Sequence, residues 1–295
     1  MSTSDANWTV VTGSTGGIGT EIIKILAGRG DDLVLVNRSR TKSETQAARI
    51  KARYPDLKVA VVVADLMDTG QVSAAVNEIV SLPGRIDVLY NNSGILTSEK
   101  VLSPQGFESQ FAVNTLAPYA LIQGLRERMA RPSGAAPAMV INFSSSAING
   151  QKSLDLGNLA NPEQVGGLLT TYAQTKLAVT VLSAALSEGL KSQNIFIRAV
   201  DPGATKTSMT TGGNSGMPKP LQWLAPLFFS PANKQAAKIV DSAAPAAFSA
   251  RTGIYIANRK VKQLPGPAAD TGTGQQLVAL LDGLLKKHNT EARHP

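Results

Sequence analysis

Seven short apolar, β-branched bursts punctuate the chain: Trp8–Thr12, Leu33–Val36, Val59–Val63, Ile86–Tyr90, Met139–Phe143, Ile195–Val200 and Ile254–Ile256. Runs such as Val59-Ala60-Val61-Val62-Val63 are apolar at every position instead of alternating, as strands covered on both faces are. Between the bursts lie longer segments with helical spacing: Gly17–Ala27, Lys42–Ala52, Gly70–Val80, Gln105–Ala130 and Thr171–Lys191. Alternation of this kind, with connections long enough to cross over, predicts an α/β fold: a doubly wound, parallel, seven-stranded sheet with helices on both faces. No linker rich in Pro, Gly or Ser divides the chain, so all of residues 1–295 is expected to form a single domain. Two irregular stretches, Ala147–Thr170 and Ala204–Pro231, each follow a strand's carboxyl end, where open α/β sheets bind ligands.

Composition narrows the chemistry. The 295 residues are 43% hydrophobic and 17% charged, contain no cysteine, and hold only two histidines, His288 and His294, both in a Lys-rich tail that reads as frayed. Disulfides, thiolate nucleophiles and thiolate-held metals are therefore excluded, and neither a His-based triad nor a metal site is expected. Catalysis would have to run on Ser, Tyr, Lys, Asn or carboxylates. No stretch approaches the roughly 18 to 20 apolar residues of a membrane span. The polar start MSTSDANWTVV does not read as a signal peptide, and a cytoplasmic protein is expected. The net charge of +8 could serve an anionic ligand or nucleic acid, but aromatics make up only 5% of the chain and none interleave with Lys or Arg, so no nucleic-acid partner is expected.

The first predicted strand runs into Thr12-Gly13-Ser14-Thr15-Gly16-Gly17-Ile18-Gly19 and then a helix. Glycines at such a turn let the backbone approach a pyrophosphate, and the helix start offers free N–H groups and a positive dipole end. A strand, turn and helix of this kind read as a phosphate-binding turn, against the alternative of a turn with no ligand. The second strand ends at Asn37-Arg38, about 20 residues further on, where an acid would bind an NAD ribose hydroxyl. A guanidinium there suits the 2′-phosphate of NADP instead, so NADP(H) is the expected cofactor and NAD the less favoured one.

Tyr172 and Lys176 lie four apart in a helical pattern and share a face. A neighbouring ammonium favours the phenolate, which would bring a phenol toward a useful range for acid–base work. Ser144-Ser145-Ser146 directly follow a strand, and Asn114 opens another helical stretch. A hydroxyl at a strand's carboxyl end can stabilise a developing oxyanion.

Together these pieces resemble the short-chain dehydrogenase/reductase family over residues 8–260. The matching motifs are TGSTGGIG at Thr12–Gly19, Asp65 in VADL, NNSG at Asn91–Gly94, Asn114, the serines after INF, YAQTK at Tyr172–Lys176, and DPG at Asp201–Gly203 with Thr205 and Thr207 following. The resemblance implies that Tyr172 is the catalytic acid/base, that Lys176 lowers its pKa and holds the nicotinamide ribose, that Ser145 (Ser146 as fallback) orients the substrate oxygen, and that Asn114 holds a relay water. It further implies a cofactor site built from Gly13, Ser14, Thr15, Gly17, Ile18, Gly19, Arg38, Asp65, Leu66, Asn91, Asn92, Ser93, Gly94, Pro202, Gly203, Thr205 and Thr207, beside Tyr172 and Lys176, with no metal. Ser145 and Tyr172 are 27 positions apart, a spacing that exceeds the family's usual one and resembles its retinol-dehydrogenase-like and carbonyl-reductase-like branches. That enlargement puts the usual tetramer in doubt and leaves a monomer or homodimer. Apolar residues in Pro218–Pro231, including Trp223 and Phe228, would form a lid for a lipophilic or aromatic carbonyl or alcohol. The alternative from another class is a non-catalytic dinucleotide-binding sensor or scaffold.

Overall fold

The computed structural model describes residues 6–162, 169–205 and 230–291. They form one eight-stranded sheet in the order β3-β2-β1-β4-β5-β6-β7-β8. The strands are β1 (Asn7–Thr12), β2 (Asp32–Asn37), β3 (Val59–Val63), β4 (Arg85–Asn91), β5 (Ala138–Phe143), β6 (Ile195–Asp201), β7 (Ile254–Ala257) and β8 (Lys260–Lys262). All neighbours are parallel except β7 and β8, whose antiparallel pairing sets Ile256 opposite Val261. β1 pairs with both β2 and β4, so the strand order reverses there, and a crevice opens at the carboxyl ends of these strands.

Burial explains the apolar strands at the centre of the sheet, whereas β3 lies at its edge and buries only Val62. Val10, Val34 and Val36 point into a core shared with α3 (Thr69–Ser81), while Val11, Leu33 and Leu35 point into another shared with α1 (Gly17–Arg29). A third core packs α6 (Thr170–Ala185) against the C-terminal helix through Leu177, Leu182, Leu277 and Leu281. The α2 helix (Arg40–Arg53) flanks β2 and starts from a Ser39 cap that accepts from Lys42 N.

Several expectations need correction. The sheet has eight strands, not seven, because Lys260–Lys262 is a short polar edge strand without an apolar pattern. The segment expected as one helix from Gln105 begins at α4 (Ser109–Phe111), where the Glu108 carboxylate accepts from Gln110 N and Phe111 N at 2.9 Å each. It passes through a π-helical turn at Ala112–Leu116 into α5 (Ala117–Met129). The stretch after Thr171 divides into α6 and α7 (Ser187–Lys191). Two further helices, α8 (Ala232–Ser242) and α10 (Thr271–Glu291), follow the short α9 (Gly266–Ala269) or precede β7 and carried no expectation. The C-terminal segment is helical through Glu291. Its Leu277 and Leu281, one turn apart, are fully buried, and Asp282 accepts a 2.5 Å hydrogen bond from Tyr119. No described helix is long and apolar enough to cross a membrane.

Candidate active site

The turn after β1 is built to bring backbone close to backbone. Gly13 has φ of +66°, and a Cβ on it would lie 2.8 Å from Ser93 Oγ. A Cβ on Gly19 would lie 2.3 Å from the Gly13 carbonyl, so only glycine lets α1 start here. Asn92 donates through Nδ2 to the carbonyls of Thr12 and Gly13 at 2.7 and 3.0 Å, and Ser93 N donates to Thr12 Oγ1 at 2.9 Å, tying the loop after β4 to this turn. The cap position of α1 is Gly16, which offers no side chain to the first-turn N–H groups, and no acid neutralises the dipole there. Gly17 and the half-buried Ile18 therefore head an open helix start suited to a pyrophosphate.

Other residues brace the turn. Ser14 is fully buried: its hydroxyl donates to Gln46 Oε1 at 2.7 Å and accepts from Asn37 Nδ2 at 2.8 Å. Gln46 Nε2 donates back to the Ser14 carbonyl at 2.8 Å, and Asn37 Oδ1 accepts from Thr15 N at 3.2 Å. The Ser14 side chain therefore braces the turn, leaving its main chain at the turn surface as the part that could meet a ligand. Leu66, 8% exposed, packs its side chain into the core. Asn91, 3% exposed, donates through Nδ2 to Asn142 Oδ1 at 2.8 Å. Arg38 is exposed, one residue beyond β2. Asp65 is half-buried at the end of β3, with Oδ1 accepting from Met67 N at 3.0 Å.

At the carboxyl ends of β4, β5 and β6 the proton-handling groups converge. Ser145 follows β5, donates its hydroxyl to the Tyr172 phenol and accepts from Ala147 N at 3.2 Å. Ser144 instead turns inward to Thr180 Oγ1 at 2.7 Å, and Ser146 is exposed, with its N–H bonded to the Asp201 carboxylate. Of the three serines, Ser145 is the one on Tyr172. Lys176 is buried beneath, its Nζ 5.8 Å from the Tyr172 ring centroid and donating to the Phe143 carbonyl at 2.8 Å.

Burial pushes the Tyr172 phenol above its ordinary pKa; the Ser145 hydrogen bond works against this and the Asp201 charge adds to it. Burial also pushes the Lys176 ammonium down to about 8, opposed by Asp201. Lys176 is expected to lower the phenol's pKa; in this arrangement desolvation is the largest influence on it. Asp201 is itself raised by burial, while accepting from Gly203 N at 2.8 Å and from Ser146 N.

Asn114 lies in the π-helical turn and is 1% exposed. Its Oδ1 accepts from Ile95 N at 2.9 Å, and its Nδ2 donates to the Ile95 carbonyl at 3.0 Å and to Thr175 Oγ1 at 3.1 Å. The amide therefore clamps the loop after β4 onto α6. Gly94 sits between the two: a Cβ there would be 3.2 Å from Asn114 Oδ1 and 3.3 Å from Lys176 Nζ. π-turns of this kind recur at functional sites. Thr175 and Asp201 were in motifs recognisable in sequence but carried no assigned role, and Gln46 had no signal at all.

Pro202 and Gly203, with φ of +75°, follow β6. Thr205 is 5% exposed and donates to the Gly203 carbonyl at 2.8 Å. It pairs with Ser230, whose N–H donates to the Ala204 carbonyl at 2.9 Å, so the chain leaves and returns at one point. Thr207 and the apolar residues of the expected lid lie outside the described residues. The stretch before Tyr172 is anchored: Glu108 N donates to the Ala160 carbonyl at 2.7 Å, and Gln174 Nε2 donates to Gln151 Oε1 at 2.7 Å.

Sheet order, the glycine turn and the convergence of Ser145, Tyr172, Lys176 and Asn114 at the strand ends define a doubly wound α/β protein with a tyrosine–lysine cluster beside its glycine turn. The family model for short chain dehydrogenases matches residues 7–217. The chain belongs to the short-chain dehydrogenase/reductase family of oxidoreductases. It is 29% identical over 209 residues, 70% of its length, to retinol dehydrogenase 13 of Mus musculus, covering 60% of that protein. It is 30% identical over 221 residues, 74% of its length, to a 3alpha-hydroxysteroid dehydrogenase of Mediterraneibacter gnavus, covering 81% of it. The matched part thus spans about three fifths of the retinol dehydrogenase 13 chains. The fold is shared with a short-chain dehydrogenase from Sphingobium yanoikuyae solved in complex with NADPH, at TM-score 0.61 and 23% identity over 79% of this chain and 82% of that one.

Proposed function

We infer that the protein is an NADP(H)-dependent oxidoreductase that interconverts a ketone or aldehyde with its alcohol, on a lipophilic or aromatic substrate. The observation that carries this reading is the Ser145–Tyr172 hydrogen bond above a buried Lys176, at the strand ends beside the glycine turn. The cradle fits the cofactor: Gly13 and Gly19 hold the turn open to a pyrophosphate, the uncapped start of α1 faces it with N–H groups, and exposed Arg38 stands where a 2′-phosphate would need a cation. When bound, a reduced nicotinamide supplies the hydride that a carbonyl carbon accepts.

The chain's own residues do the rest. Tyr172 gives its phenolic proton to the substrate oxygen as negative charge develops there, and takes it back in the alcohol-oxidising direction. Its raised pKa keeps it protonated at neutral pH, the form a reductase needs. Ser145 donates a second hydrogen bond to the same oxygen. Lys176, positively charged and held on the Phe143 carbonyl, stabilises the phenolate left behind. Asn114, between the loop after β4 and α6, is the residue that would hold a relay water.

The lipophilic substrate class is supported by the names of the relatives, a retinol and a hydroxysteroid dehydrogenase. The cytoplasmic location and a monomeric or homodimeric state belong to the same proposal; cell fractionation and light scattering read them. The test is NADPH consumption over a panel of lipophilic aldehydes and ketones with wild type and Tyr172→Phe. Turnover confined to wild type is expected, and equal turnover in both overturns the mechanism.

A further inference from the structure

The cleft between α1 and α2 holds an open cavity of about 700 Å³ that, Thr15 at its edge apart, the proposed chemistry does not use. Its floor is apolar and buried, formed by Ile23, Ala27 and Ile50. Lys24, Lys42, Arg49 and Arg53 also line it, and no carboxylate does. Lys42, Gln46, Arg49 and Arg53 recur at spacings of four, three and four, so they share one face of α2. Lys24 is answered by Glu21 at 2.6 Å, and the Arg53 guanidinium lies 5.6 Å from the Tyr54 ring centroid. Among the described residues, Lys42 and Arg49 enter no ion pair.

An apolar floor beneath unneutralised cations asks for a ligand with both characters. We propose that this cleft binds a small amphiphilic anion, an aryl or acyl body resting on Ile23, Ala27 and Ile50 with its negative head between Lys42 and Arg49. The cleft is also wired to the dinucleotide turn. Thr15 and Gln46 line it, Gln46 exchanges two hydrogen bonds with Ser14, and Thr15 N donates to Asn37. An anion held there lowers the positive potential beside the turn and loads the Gln46–Ser14 brace, so it weakens dinucleotide binding. By linkage, NADPH weakens the anion's binding by the same factor.

The probe is 8-anilinonaphthalene-1-sulfonate, an aryl anion whose fluorescence rises on an apolar surface, titrated into the full chain. Saturable binding that persists under saturating NADPH is expected, with each ligand raising the other's Kd about fivefold. Lys42→Glu and Arg49→Glu, both at exposed positions, should each raise the probe's Kd at least tenfold while keeping the wild-type circular dichroism spectrum. The uncharged analogue N-phenyl-1-naphthylamine should bind at least tenfold more weakly. Complete displacement by NADPH, unchanged Kd in both variants, or equal binding of the uncharged analogue overturns the site; a probe that binds without altering the NADPH Kd overturns the coupling. None of these readouts involves turnover, and Tyr172→Phe should leave them unchanged, so the site fails or stands apart from the reductase reading.

Discussion

Replacing Asn114 with alanine removes a clamp whose strength the structure allows to be counted. The side chain is 1% exposed and makes three hydrogen bonds, two to the backbone of Ile95 and one to Thr175 Oγ1. At about 1 kcal/mol net for each bond, with the Ile95 groups only partly buried and so open to water, the loss is about 2 to 4 kcal/mol. Urea unfolding followed by circular dichroism reads that number. A cycle with Thr175→Val isolates the Asn114–Thr175 bond, for which a coupling of about 1 kcal/mol is expected. Catalysis should suffer as well, because Gly94 is packed between Asn114 Oδ1 and Lys176 Nζ. A misplaced Lys176 should lower kcat/KM by roughly 10- to 100-fold. Asn114→Ala with stability within about 0.5 kcal/mol of wild type and full activity would refute the clamp.

Three more expectations follow from other parts of the molecule. Arg198 is fully buried and donates all five N–H groups to the carbonyls of Ser242, Ala244, Pro245, Ala247 and Arg251, so Arg198→Met should cost about 3 to 5 kcal/mol in urea unfolding; a loss below 1 would contradict that count. Arg38→Asp should raise the KM for NADPH by roughly 10- to 100-fold and leave that for NADH nearly unmoved; equal changes would show that Arg38 meets no phosphate. The Asp201 charge raises the pKa of both Tyr172 and Lys176, so Asp201→Asn lowers both. Because the proposed carbonyl reduction needs a protonated phenol, its rate falls as pH rises through that pKa, and the alkaline limb of the kcat profile should move to lower pH. A limb that stays put or moves upward would remove Asp201 from the electrostatics of the site.

The parallel sheet was legible because burial on both faces leaves its mark on the central strands: Val10 and Val11 are neighbours that enter different cores. β8 left no such mark, since Lys260 and Lys262 are exposed edge residues. The start of the Asn114 segment was misplaced by four residues because the stop signal is a buried carboxylate, Glu108, capping by a geometry that hydropathy does not encode. α8 escaped because only Ala236, Ile239 and Val240 form its buried stripe. In the site, the Tyr172–Lys176 spacing and the serine run were visible as residue types. The choice of Ser145 over its neighbours, and the burial that sets the Tyr172 and Lys176 pKa values, depend on how β5 and α6 meet. Ser14 illustrates the converse: it lies within a motif expected to meet cofactor, yet Asn37 and Gln46, distant in sequence, claim its hydroxyl.

The central claim is that Tyr172 protonates a carbonyl oxygen while the carbon accepts a hydride from a bound reduced nicotinamide. It is tested most directly by incubating the protein with NADPH carrying deuterium at C4, in separate 4R and 4S forms, and a lipophilic ketone that turns over, then weighing the alcohol by mass spectrometry. Deuterium at the carbinol carbon from one form alone, and no alcohol from Tyr172→Phe under the same conditions, is the predicted result. Alcohol without deuterium from either form, or labelled alcohol from Tyr172→Phe at the wild-type rate, would contradict it.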